Sequence, residues 1–366
     1  VDFNYNTYKD IGRISADFRT EKSTTKSYNG RQILEMLQNA DDANTDIVSI
    51  NLDRQNKLLS ISNNGTPFTV EEGIASLMVA GNSSKKKEFI GNKGLGFRSI
   101  LNWVSEVKIK TKDEVVVFSE CIAKEEFEKL SIENQKNLIN NNQDRLSENE
   151  VPFAILAIPR VYPNQEVSNF ETTLELTYKE EVDGEKIIEK IEEQLNFLAP
   201  EILLFLNHTN AISIVDSENQ LTKNIYRTAN EIQHRISINE STWNVEDSEE
   251  VFYKIVNDKE QYFNYKIAWQ DDLSDIDSKF FTHFPTQEYT HLPFLIHATF
   301  DLDPSRNHLN RSQENLDLLS EIAKSIGEIA VHKIRKESSD WNAYKFLTSE
   351  RVSDNKLLVD FYADLL

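Results

Sequence analysis

The sequence predicts an α+β protein, and three patterns carry that reading. Apolar residues recur at helical spacing over residues 31 to 43 and again from Ser312 to Lys336. Apolar and polar residues alternate in paired runs, Asp46 to Leu52 with Lys57 to Ser62 and Val107 to Thr111 with Val115 to Glu120, as the strands of half-buried hairpins do. Further alternating runs, Ala211 to Val215, Ile232 to Ile238 and Tyr265 to Trp269, imply a second α/β unit. At 366 residues the chain is long enough for two or three domains with sizeable cores.

Charge and composition narrow the function classes. The 40 basic and 61 acidic residues leave a formal charge of -21, which opposes nonspecific binding to a phosphate backbone, so nucleic acid is not an expected partner of this chain alone. The single cysteine, Cys121, can form neither an internal disulfide nor a thiolate metal cage; a small buried hydrophobe in a reducing, cytoplasmic setting is the expectation. No apolar run approaches the length of a membrane span and the first thirty residues lack a signal-peptide core, so a soluble protein is expected. The final stretch, 357 to 366, is still apolar and periodic, which suggests a longer protein.

Residues 1 to 30 are polar, rich in Ser and Thr around 23 to 27, and read either as a segment that crosses another subunit or as a frayed terminus. The helix at 31 to 43 follows. Ile33, Leu34, Met36, Leu37 and Ala40 form its core face, while Glu35, Asn39 and Asp42, at i, i+4 and i+7, fall in one narrow stripe. A carboxylate and a carboxamide one turn apart are what is needed to hold a water and a cation side by side.

The first strand pair delivers Asn63-Asn64-Gly65 to the end of its second strand. Val70 to Val79 reads as a short helix. The Gly, Ser and Lys residues from Ala80 to Glu88 read either as a mobile lid drawn to phosphate or as a solvated basic loop. Gly91, Gly94 and Gly96 then open an apolar helix from Phe97 to Val104. Glycines there let backbone N–H groups converge on one point at a helix amino terminus, a ready site for β- and γ-phosphates. The pattern G-x-x-G-x-G is neither a dinucleotide fingerprint nor a P-loop.

Taken together, Asn39-Ala40-Asp41-Asp42-Ala43, Asn63-Asn64-Gly65-Thr66-Pro67-Phe68 and Gly91-Asn92-Lys93-Gly94-Leu95-Gly96-Phe97 resemble, in order and spacing, the three nucleotide-binding boxes of the GHKL (Bergerat-fold) ATPases. The wording is most similar to the sacsin-like branch, beside the heat-shock-protein-90 chaperones. The resemblance is sharp over residues 28 to 119. It implies a two-layer α/β sandwich with helices on one face of a mixed, mostly antiparallel sheet. It also implies an adenine nucleotide and Mg²⁺ as ligands, with Asn39 ligating the metal and Glu35 activating the attacking water. Asp42, Asn63, Gly65, Gly91, Asn92, Lys93, Gly94, Leu95, Gly96, Phe97 and Thr173 would line the nucleotide. Lys93 and Arg98 would touch phosphate or lid. The family has an Asp where Asn63 stands, accepting the adenine amino group; an Asn carbonyl can still accept that bond, without charge assistance. Thr173 matches the family's adenine-side Thr, although the Gly that commonly precedes it is Thr172 here.

Residues 124 to 150 are charged and Asn-rich and read as an inserted surface helix and loop; Phe153 to Pro159 and Thr172 to Thr177 return as strands. Ile187 to Leu206 is helical, interrupted at Pro200, and its last six residues are apolar enough to be buried against a neighbouring domain. The domains are thus expected at 1–183 (lid about 78–95), 184–311 as a transducer-like unit, and 312–366 as a helical segment. In the strand at 292–302, Ile296, Ala298, Phe300 and Leu302 face one way, and His297, Thr299, Asp301 and Asp303 face the other, read as a solvated face. Arg306 follows as the candidate γ-phosphate sensor. His283, His291 and the other histidines form no ligand spacing. Function is expected as a slow, Mg-dependent ATPase switch, a chaperone-like module with a nucleotide-dependent homodimer as a partner state. The other reading is an ATP-binding scaffold with negligible hydrolysis. A histidine kinase would need a phospho-accepting His upstream, and none precedes residue 208.

Overall fold

A computed structural model describes residues 10–27, 30–69, 73, 77, 96–147, 150–216, 218–219, 221–230, 234–248, 251–256, 259–273, 276, 278–303, 306–336, 344–345 and 355–365. The architecture is α+β with mostly antiparallel strand pairing. The chain divides into two compact units, residues 1–198 with 207–224 and residues 199–206 with 225–366.

In the first unit, α1 (Ile11–Ser27) and α2 (Gln32–Asp42) precede the hairpin β1 (Ile47–Asp53) and β2 (Leu58–Asn63). A 3₁₀ helix at Gly96–Asn102 leads into β3 (Val104–Lys110) and β4 (Glu114–Ser119), then α3 (Glu120–Glu128) and α4 (Ile132–Asn142). β5 (Arg160–Pro163), β6 (Thr172–Tyr178), the small hairpin β7 (Glu181–Val182) and β8 (Glu185–Lys186), α5 (Ile187–Asn196) and β9 (Ala211–Asp216) complete it. The strand order is β9-β1-β2-β6-β3-β4-β5. β9 runs parallel to β1; the other neighbours are antiparallel.

Period-two alternation builds one buried face. Ile50, Ile61, Leu174, Ile109 and Val116 stand in one cross-strand row, and Leu52, Leu59, Leu176, Val107 and Phe118 in the next. All are 8% exposed or less, so every strand commits the same side to the core. The intervening Ser60, Ser62, Lys108, Lys110 and Glu175 make the opposite face polar, and Lys110 pairs there with Glu175 at 2.7 Å.

Several expectations change. Residues 11 to 27 form a helix whose Ile14 and Phe18 are buried, because they fall on one helical face. The inserted segment is no mere surface loop: Phe127 and Leu138 share a core with Ile14, and the Asn142 amide donates to the Ser15 hydroxyl at 3.0 Å. Residues 155–157 form a 3₁₀ turn where a strand was expected, and the helix expected from Phe97 to Val104 is a 3₁₀ helix at 96–102, with Val104 already in β3. Cys121 is exposed on α3, since the buried stripe of that helix falls on Ile122, Ala123, Glu126 and Phe127. The sequence places a boundary at 183–184, whereas α5 and β9 belong to the first unit, β9 through its ladder with β1.

The second unit contains β10 (Leu221–Asn230, entered at Ile225), β11 (Arg235–Ile238), β12 (Ser241–Asp247), β13 (Val251–Val256), β14 (Lys259–Phe263), β15 (Tyr265–Trp269), β16 (Lys279–Thr282), β17 (Phe284–Tyr289) and β18 (Phe294–Ala298). Helices α6 (Gln313–Lys336) and α7 (Lys356–Asp364) end it. Its strand order is β17-β16-β18-β15-β12-β11-β10, with β13 and β14 a separate hairpin. Phe294, Ile296 and Ala298 pack with Leu318, Leu319, Ile322 and Phe361 of the two helices. The face expected to be solvated holds at Thr299, which is exposed, but not at His297, which is 3% exposed because Phe205, next to the 3₁₀ turn Pro200–Leu204, stacks on its ring at 5.2 Å. Among the described residues no helix is long and apolar enough to cross a membrane.

Candidate functional site

The two rows of apolar residues on the buried face of the first sheet are followed by a third of different chemistry. Ile212 and Val48 continue it, but Asn63 and Thr172 occupy its next two places. A carboxamide and a hydroxyl therefore stand side by side where the pattern calls for two aliphatic side chains. Both are half-buried.

The end of α2 meets this polar corner. Asn44 adopts a left-handed conformation (φ 58°) that stops the helix, and the chain turns through the fully buried Thr45 into β1. The Thr45 hydroxyl donates to Asn63 Oδ1 at 3.2 Å, and Thr66 N–H donates to the Ala43 carbonyl at 2.6 Å. Gly65 lies against the same carbonyl so closely that a Cβ there would collide with it and with the Thr45 hydroxyl. Asn64 locks the turn by accepting the N–H groups of Asp46 and Ile47 at 3.1 and 2.9 Å.

Two turns back on α2, Glu35 is 4% exposed, and Asn39 and Asp42 on its stripe are half-buried. A water-facing surface stripe would leave all three exposed. The other end of the helix is held by Gln194 of α5, whose side-chain oxygen accepts the Ile33 N–H at 3.0 Å. Asp41 is buried outright. Its carboxylate accepts the N–H groups of Asn207, His208 and Thr209 at 3.0, 2.9 and 2.8 Å and the Thr209 hydroxyl at 2.9 Å. Sequence reasoning passed over Asp41 because its partners lie far away in the chain; only the doubling of Asp41 and Asp42 marks it.

Thr173 projects to the polar face, away from Asn63, and its hydroxyl bonds that of Ser62 at 2.9 Å. Thr172 is the one beside Asn63, and its hydroxyl accepts the Phe68 N–H at 3.0 Å. Gly96 and Phe97 open the 3₁₀ helix at 96–102. Gly91, Asn92, Lys93, Gly94, Leu95, the helix expected at 70–79 except positions 73 and 77, and the lid expected at about 78–95 lie outside the described residues. Arg98 is 3% exposed and turned into the protein, toward Glu21 of α1 at 3.3 Å and the Leu77 carbonyl. Glu21 also accepts the N–H groups of Ile155 and Leu156. Burial pushes its carboxyl above the usual range, and the Arg98 guanidinium and these two N–H groups oppose the shift.

Arg306 belongs to the second unit. It occupies a left-handed position (φ 58°) in the turn between Leu302 and Leu309, where Asp303 accepts the N–H groups of Asn307 and His308.

The donor set on the α2 stripe is oxygen only, the chemistry that suits a hard divalent cation. Among the described residues no three His, Cys, Asp or Glu side chains gather into a protein-only metal cage. A magnesium ion bound through one amide oxygen and ligand phosphates would need none. A scan against protein-family models finds no match, and a search of curated proteins finds none either.

Proposed function

We propose that the first unit binds a purine nucleoside triphosphate with Mg²⁺ and hydrolyses it slowly, as a conformational switch of the GHKL ATPase type with a two-layer sandwich fold. The nucleotide implied by the resemblance is ATP. The observation that carries the reading is Glu35: a carboxylate 4% exposed, on one stripe with half-buried Asn39 and Asp42, on a helix whose end is hydrogen-bonded into the turn bearing Asn63. A buried acid on one stripe with a carboxamide and a second acid is a functional candidate.

In this reading Asn39 would hold the metal through its side-chain oxygen, and the ion would supply charge neutralisation to the phosphates. Glu35, one turn earlier, orients the attacking water and takes its proton. Asn63 and Thr172 face the base. The glycines at 91–96 would receive phosphates on backbone N–H groups, a role that rests on the sequence alone. Arg306 is proposed as the γ-phosphate sensor on the same footing. A chaperone-like role and a nucleotide-dependent homodimer follow only from the resemblance.

The test is steady-state phosphate release at millimolar Mg-ATP and Mg-GTP, for the chain and for Glu35→Ala, with nucleotide affinity measured on both. Turnover that disappears in Glu35→Ala while binding persists supports the reading. Binding without turnover in either protein supports the scaffold. No binding of either nucleotide overturns both.

A further inference from the structure

Asn63 stands where the resemblance calls for an acceptor facing the base, and its hydrogen bonds decide which of its two polar atoms faces that way. Its Oδ1 accepts the Gly65 backbone N–H at 3.2 Å and the Thr45 hydroxyl at 3.2 Å. The first of these fixes the orientation. A backbone N–H can only donate, so reversing the carboxamide would set Nδ2 against another donor. The oxygen is held inward by the turn, and the atom left to meet a ligand is Nδ2, which only donates and makes no hydrogen bond among the described residues.

Thr172 stands next to Asn63 on the same cross-strand row. Its oxygen accepts the Phe68 N–H at 3.0 Å and keeps its hydrogen and one lone pair, so this hydroxyl can join a donor or an acceptor and leaves the choice to Asn63. Of these two groups at the polar corner, the one that can only donate is thus Asn63 Nδ2, and the Thr172 hydrogen can accompany it. Adenine presents an amino group at its 6-position, a donor, whereas a 6-oxopurine presents an acceptor oxygen with two lone pairs. Donor against donor leaves both groups unpaired, and sites discriminate strongly through such unpaired groups.

Resting on the nucleotide-binding reading above, we propose that the site selects a 6-oxopurine nucleotide, guanosine or inosine triphosphate, over ATP, with Asn63 Nδ2 donating to the O6 atom. This replaces the expectation that the Asn63 carbonyl accepts from adenine, because that carbonyl is already engaged.

Asn63→Asp is a nearly isosteric test. One carboxylate oxygen keeps the bonds from Gly65 and Thr45, and the other turns the outward donor into an acceptor. Mg-GTP, Mg-ITP and Mg-ATP affinities are measured by calorimetry on the chain and on Asn63→Asp, with circular dichroism as a check on folding. The expected result is GTP and ITP each binding the chain at least about tenfold more tightly than ATP, with the order reversed in Asn63→Asp. ATP binding the unmodified chain more tightly than GTP and ITP overturns the inference while leaving the nucleotide site standing. Tight GTP with weak ITP also overturns it, since recognition would then run through the 2-amino group. A ratio unchanged by Asn63→Asp removes Asn63 from the selection. No binding of any of the three overturns the nucleotide reading itself. If Asn63→Asp does not fold, the ratio in the unmodified chain decides alone.

Discussion

Asp41 and Thr209 are joined twice: the buried carboxylate takes both the backbone N–H of Thr209, at 2.8 Å, and its hydroxyl, at 2.9 Å. With Asn207 and His208 adding their N–H groups, one side chain on the last turn of α2 organises the approach to β9. Asp41→Ala leaves four donors unmet, two of them buried, and is expected to lower stability by about 3 kcal/mol. Asp41→Asn, which keeps one acceptor oxygen, should lose less. Urea denaturation of the two variants beside the unmodified chain gives both numbers; equal losses would mean that the carboxylate is not acting as the acceptor hub.

Glu35→Gln preserves the shape of the side chain and removes its basicity. Phosphate release is expected to fall by at least about 100-fold, the usual contribution of a general base, with nucleotide affinity changed less than about threefold. A loss of affinity in step with turnover would assign Glu35 to binding instead.

How much of this was legible in the sequence depends on distance along the chain. The alternation of β1, β2 and β6 and the amphipathic face of α2 are local patterns, and the structure places these elements within a residue or two of where the sequence does. Glu35, Asn39 and Asp42 share a stripe by helical period alone. What was not legible was set by register and cover. That Thr172 rather than Thr173 stands beside Asn63 depends on how β6 pairs with β2. The burial of His297 depends on Phe205, 92 residues earlier, in an apolar segment expected to be buried against a neighbouring domain; nothing local says that it would cover this imidazole.

His297 makes the second unit sensitive to acid. Burial holds its imidazole well below the ordinary value, with His283 and Lys266 adding repulsion against a second positive charge. The His283 ring lies 4.5 Å away, Lys266 is the cross-strand neighbour on β15 and is paired with Asp247, and Phe281 and Phe205 close the remaining sides. The unfolded chain binds this proton at about pH 6.5 and the folded chain does not, so stability is full above that pH and declines below it. The expected loss is up to about 1.4 kcal/mol per pH unit. Comparing urea midpoints between pH 7.5 and 5.5 for the chain and for His297→Phe isolates the effect; parallel slopes would exclude His297 as its source.

Arg98 and Glu21 form a buried pair, 4% and 8% exposed at their side chains. Removing one partner strands the other's charge, so Arg98→Leu is expected to cost about 3 to 5 kcal/mol. The double variant Glu21→Leu, Arg98→Leu should recover part of that loss. A phosphate-binding Arg98 would behave otherwise, losing nucleotide affinity with thermal stability unchanged, so melting curves without nucleotide separate the roles.

The ladder between β1 and β9 brings together stretches of chain more than 160 residues apart, and this sets an order of events at synthesis. Until residue 216 has left the ribosome, β1 is an edge strand with its row of N–H and C=O groups unpaired and Val48, Ile50 and Leu52 beside it. A fragment cut at residue 183 would keep that edge permanently and deprive Asp41 of its partners, and it should self-associate where the full chain does not.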